Sequence, residues 1–149
     1  MAPFIYQRFK ELLAKADIDL DTADIRVALV GSATTADTEK NANLFSDFTT
    51  LDEYSASGYT AGGHDLANQQ VVRSDGSNIV YFDADDLVFT SLGSSTNGAD
   101  AILLHVHNAT LANRVPLGYQ DSGGFPFNGS GTNVTIQWHA EGIFRFPTS

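Results

Sequence analysis

Residues 17–30, D-I-D-L-D-T-A-D-I-R-V-A-L-V, decide the fold. Ile25, Val27 and Leu29 alternate with Arg26, Ala28 and Val30, which is the period of a half-buried strand. The acidic run in front of them ends a helix, because Asp side chains compete for nearby backbone hydrogen bonds. Upstream, residues 4–14 put Phe4, Ile5, Phe9, Leu12 and Leu13 on one stripe, with Gln7, Arg8, Lys10 and Glu11 mostly opposite. This predicts an amphipathic helix within residues 1–16. The chain then passes from helix through a turn to strand, and the apolar stripe needs a surface to cover it.

Working outward, residues 31–43 are polar, Leu44, Phe45 and Phe48 form a short apolar cluster, and G-Y-T-A-G-G follows at residues 58–63. A loop of that length in a small domain usually makes contacts or carries function. From residue 69 the pattern is strand and turn. Residues 69–73 and 78–82 flank Ser74-Asp75-Gly76-Ser77, a hairpin signal. Residues 87–90, 101–107, 115–119, 134–139 and 143–146 supply further strands, with Val134, Ile136 and Trp138 sharing one face. About seven or eight short strands and one terminal helix predict a mainly β chain: an antiparallel β-sandwich or jelly-roll-like barrel with an N-terminal amphipathic helix. The expected organisation is one domain over residues 1–149, its sandwich spanning 25–149. No βαβ alternation, GxGxxG or P-loop pattern is present, which argues against a nucleotide-binding α/β fold.

Composition narrows the function classes. Hydrophobic residues make up 42%, including 10 Phe and 5 Tyr, enough for a real core. Against 18 acids stand only 8 Lys and Arg, a net charge of -10, and such a surface holds nucleic acid poorly. Without Cys there is no disulfide, thiolate metal site or Cys nucleophile. No run approaches the roughly 20 apolar residues of a membrane span. Neither nucleic acid nor membrane is expected as a partner.

Three constellations invite chemistry. His105-x-His107 places two imidazoles on the same side of a strand, a weak metal candidate that needs a third ligand from His139, His64 or Glu141. Two solvent-facing histidines, or a histidine cluster at a subunit contact, explain the pair better. Asp17-x-Asp19-x-Asp21 opens like a calcium loop, but Thr22 stands where Gly is needed and Ala28 where a bidentate Glu is needed. Asp85 with Glu141 could serve glycoside hydrolysis, and Trp138, Phe144 and Phe146 could form a sugar platform, although turn and core roles account for them. No nucleophile, base and orienter stand in register, so the expectation is a non-enzymatic protein with no catalytic residue and no cofactor.

The pairing of F-K-E-L-L with I-D-L-D-T-A-D-I-R-V-A-L-V resembles a family of small structural proteins from the virions of tailed bacteriophages. The resemblance recurs in G-Y-T-A-G-G, in F-D-A-D-D-L-V-F at residues 82–89 and in I-Q-W-H-A-E-G-I-F at 136–144. These blocks span nearly the whole chain in the family's order, and each is a folding pattern rather than a chemical motif. The chain departs from the family in its long 31–57 loop and in the histidines of residues 101–107, where relatives tend to show Tyr or Lys. The resemblance implies a capsid decoration or cement protein on the virion exterior, assembled in the bacterial cytoplasm. Its partner would be the major capsid protein, and it would act as a homo-oligomer, a trimer first. A tail, neck or fibre-base component touching tail or host is the alternative. Phe4, Ile5, Arg8 and Phe9, with Leu44, Phe45 and Phe48, are the expected partner contacts, because large apolar residues in terminal or loop positions anchor interfaces. Removing the first sixteen residues should then abolish binding and leave the sandwich folded.

Overall fold

A computed structural model describes residues 3–148. The protein is mainly β, 34% strand against 10% helix, and every strand pair is antiparallel, as the alternation and turn signals predict. The strands are β1 (Phe4–Ile5), β2 (Ile25–Val30), β3 (His64–Asp65), β4 (Gln70–Ser74), β5 (Ile79–Asp83), β6 (Leu87–Leu92), β7 (Ala101–Val106), β8 (Val115–Gln120), β9 (Thr132–Ile136) and β10 (Phe144–Pro147). Helix α1 covers Gln7–Ala14. A five-stranded sheet runs β1-β8-β7-β2-β3, a three-stranded sheet β10-β5-β4, and β6 pairs with β9.

These sheets pack sandwich-like around a main apolar core. Ile25, Val27 and Leu29 of β2 meet Phe82, Phe89, Leu92 and Phe144 from the smaller sheets, and α1 adds Phe9. The Phe9 ring lies 5.1 Å from Phe144, and Phe9 is fully buried. Burial of that ring contributes about 1.5–3 kcal/mol.

The helix begins three residues later than its stripe suggests. Phe4 and Ile5 are strand β1, paired with Tyr119 and Gly118 of β8. A long-range ladder thus captures residues whose local spacing suits a helix. The helix stops where expected, by a different device: the Ala16 N–H donates to the Leu13 carbonyl at 3.1 Å and the Asp17 N–H to the Leu12 carbonyl at 2.9 Å. With Ala16 at φ 57°, this is a Schellman closure with Ala in the left-handed position that usually takes Gly.

Strand β2 is not half-buried. Ala28 and Val30 are fully buried on the face away from the main core. The loop of residues 31–57 folds over that face, and a second cluster of Tyr6, Ala28, Val30, Ala36, Phe45, Phe48, Leu103 and Tyr119 fills the space. The Tyr6 hydroxyl donates to the Ala36 carbonyl at 2.5 Å. Glu39 closes the loop: its carboxylate accepts from the Thr35 hydroxyl at 2.6 Å and from the Thr49 N–H and hydroxyl at 2.9 and 2.5 Å. The G-Y-T-A-G-G turn then crosses close to β2, where a Cβ on Gly63 would overlap the Val27 carbonyl.

Candidate functional site

The structure divides the expected contact residues between its two apolar clusters, Ile5 and Phe9 in one and Phe4, Phe45 and Phe48 in the other. Phe9, Phe45 and Phe48 are buried core residues. Phe4, Ile5, Arg8 and Leu44 are half-buried, Arg8 pairs with Glu11 at 2.7 Å, and the Phe4 ring lies under the Lys40 ammonium at 4.6 Å. They form no common exposed patch. Because Tyr6 and Phe9 belong to the two cores, removing the first sixteen residues takes out packing as well as surface.

His105 overturns the solvent-facing reading. It is fully buried on the loop-covered face, 4.8 Å from the Phe45 ring, and its Nε2 bonds the Gly62 carbonyl at 2.9 Å. Burial pulls its pKa down to about 4, against hydrogen bonds to the Gly62 and Val106 backbone that favour the proton, with the nearby Arg114 charge and His107 adding to the depression. His107 does lie on the same side, ring centroids 6.1 Å apart. Yet among the described residues no three His, Asp or Glu side chains come together to hold a metal. Arg114, which the sequence reading missed, is buried beside this pair, its Nε donating to the Asn108 carbonyl at 3.1 Å and its Nη1 without a partner. Nothing in the pattern around L-A-N-R-V-P marks an Arg for burial.

The acidic candidates serve the fold. Asp19 accepts from the Asp21 N–H and Asp21 from the Val71 N–H, so this run ties the post-helix turn to edge strand β4. Asp85 accepts from the Asn68 amide at 2.6 Å, and Glu141 holds Arg145 at 2.5 Å. Phe144 is core, and Phe146 packs against it. Trp138 is half-buried and doubly held, its indole N–H on the Asp85 carbonyl and its backbone N–H on the Asp86 carboxylate, both at 3.0 Å.

The surface feature that stands out lies along β9. Two grooves of about 350 and 660 Å³ share Gly123, Phe125, Thr135 and Ile136 in their linings. Residues 132–139 line them without a gap. A groove over a sheet face would touch alternate residues; one touched by consecutive residues runs along the strand's edge, where backbone N–H and C=O groups point. The other edge of β9 pairs with β6, and among the described residues no strand pairs with this one. Across the gap stand Phe125 and Phe127, ring centroids 5.3 Å apart, and a Cβ at Gly123 or Gly124 would meet nothing within 4 Å. The Gly- and Asn-rich stretch 122–133 supplies much of the lining. The open edge beside it has no local signature.

Carboxylates meet the groove at one end, where Glu141 pairs with the lining residue Arg145 at 2.5 Å and Asp86 accepts from the Trp138 N–H at 3.0 Å. The titratable residues in the lining are His139 and Arg145, at one end.

No family model, no curated protein and no solved structure matches this chain. Among the described residues no helix is long and apolar enough to cross a membrane.

Proposed function

We propose that this protein is a non-enzymatic structural component of a tailed-phage virion that decorates the head and stabilises the shell by bridging major capsid subunits. A molecule that binds only the assembled shell stabilises it by mass action, and one that spans two subunits gains from effective concentration. The four sequence blocks of the phage resemblance support the reading. The observation that carries it is the open edge of β9 beside a groove with apolar lining residues, a surface suited to contact rather than to a reaction. The contact surface moves accordingly from the N-terminal stripe to the groove, since the stripe's best anchor, Phe9, packs inside.

The test is to separate virions into heads and tails and quantify the chain in each against the major capsid protein. Recovery with heads at high copy is the expected result. Recovery with tails at a handful of copies replaces decoration by the tail, neck or fibre-base role.

A further inference from the structure

We infer that Asn97 is a site of spontaneous modification: its side-chain amide leaves as ammonia, and the carboxylate that replaces it repels Asp52 and loosens the start of the loop of residues 31–57. The inference stands apart from the decoration reading.

The chain has two Asn-Gly pairs, Asn97-Gly98 and Asn128-Gly129. A glycine after Asn leaves its own backbone nitrogen unshielded by a Cβ, so that nitrogen can reach the side-chain carbonyl carbon of the Asn. In that attack a bond forms from the backbone nitrogen to Cγ and the amide C–N bond breaks. The displaced nitrogen takes up the proton of the backbone N–H and leaves as ammonia. Water then opens the cyclic imide at either carbonyl, giving Asp or the isomer whose main chain runs through Cγ. One water is consumed, one ammonia is released, and nothing is oxidised or reduced.

The structure treats the two pairs differently although they are neighbours, with Ala99 bridging Phe127 beside them. Asn128 is locked. Its Oδ1 accepts from the Tyr54 hydroxyl and the Ser95 N–H, both at 2.9 Å, and its Nδ2 donates to the Ser95 carbonyl at 2.8 Å. The nucleophile beside it is held too, since Gly129 is buried and its N–H donates to the Tyr54 hydroxyl at 2.9 Å. Asn97 is exposed in a turn, and its side chain is held by a bond from Nδ2 to Asp52 Oδ1 at 2.8 Å. The Gly98 N–H meets the Ser95 carbonyl only at 3.3 Å. Opening an exposed turn of this kind costs less than opening the network around Tyr54.

The new acid would face Asp52 where an N–H faces it now. Asp52 is not free to withdraw: its Oδ2 accepts from the Ala33 N–H at 2.9 Å, and its carbonyl accepts from the Gly31 N–H at 2.8 Å. A Cβ on Gly31 would stand 2.5 Å from that Oδ2 and 2.9 Å from the Asn97 Cβ, so the three residues are close-packed. Two carboxylates at hydrogen-bond distance repel each other, and when Asp52 turns away it gives up the Ala33 N–H.

The experiment incubates the full chain in mildly alkaline buffer and follows amide-to-acid conversion at both pairs by peptide mass mapping. Conversion at Asn97 should lead that at Asn128 by about tenfold. Equal rates, or a lead at Asn128, overturn the inference. So does a lead at Asn97 that persists undiminished in concentrated urea, because flanking sequence rather than the fold would then set the rates. As a second measurement, Asn97→Asp puts the product in place, and hydrogen exchange at the Ala33 amide should quicken about tenfold. Combining Asn97→Asp with Asp52→Asn swaps donor and acceptor and should restore the slow exchange; Asn suits position 52, where φ is 49°. An unchanged Ala33 amide in the single variant, or no recovery in the double one, overturns the repulsion from Asp52.

Discussion

The two faces of the five-stranded sheet are buried in different ways. One is covered by other sheets and by α1, and its core is built from apolar side chains such as Phe9, Val27, Leu29, Phe82 and Leu104. The other is covered by the loop of residues 31–57, and beneath that cover lie His105 and Arg114 among Phe45, Phe48 and Leu103. A face shielded by regular structure can be wholly apolar because its partners satisfy their own backbones. A face shielded by a loop takes on the loop's polar backbone, and here His105 caps the Gly62 carbonyl while the Thr50 carbonyl receives the Thr35 N–H. The loop-covered face should therefore be the one that answers to pH and opens first.

Core truncation measures the contrast most directly. Phe9→Ala, at a fully buried position between layers, should cost about 3–5 kcal/mol, a large part of the roughly 5–15 kcal/mol that holds a domain of this kind together. Phe48→Ala removes the same side chain from under the loop, where the chain can settle into the gap, and should cost about half as much. Urea unfolding of both variants checks this, and equal losses would erase the distinction.

His105 gives the next effect. Its folded pKa of about 4 lies below the ordinary histidine value near 6.5, so the unfolded chain binds the extra proton first. The stability contributed by its neutral form is complete above about pH 6.5 and is lost as pH falls toward 4. The groups around it are Arg114 just before β8, His107 on its own segment, the Gly62 carbonyl, the Phe45 ring and, opposite it on β2, Arg26, which pairs with Asp24 and Asp65. Linkage puts the loss between pH 7.5 and 5 at about 2 kcal/mol. Unfolding of the wild type and of His105→Phe at both pH values measures it. A slope that survives the substitution would assign the pH response to other groups.

What was legible in the sequence follows the range of the interaction that decides each element. The hairpin of β4 and β5 was readable because Asp75 and Gly76 lie inside it, and β7, β8 and β10 because alternation and turn residues are local. Strand β1 was not, since Phe4 and Ile5 owe their state to Tyr119 and Gly118 at the far end of the chain. The same limit applies to the cluster of Phe45 and Phe48. Its apolar character was plain, but only the fold shows that it turns inward onto Ala28 and Leu103. His105-x-His107 was placed correctly on one side of its strand; whether that side faces water is decided by the loop above it. The open edge of β9 is a property of what fails to pair with it, which no local pattern records.

Glu39 offers the finest test of the comparison. Its carboxylate is held below the usual range chiefly by the Thr35 hydroxyl, then by the Thr49 hydroxyl and N–H. A depressed carboxylate stabilises above its ordinary value of about 4.3 and loses that contribution as pH falls through the lower folded value. This window lies below the one set by His105, so the two can be read apart. Glu39→Gln retains the shape and removes the charge, leaving an acceptor too weak to hold both threonines. Amides of residues 35–50 should lose protection at neutral pH in this variant, while those of β2 and β7 keep theirs, because the strands are also clamped from the other face. Loss of protection spreading equally into β2 and β7 would mean that loop and sheet open as one unit, and that the two faces, however differently built, share a single cooperative core.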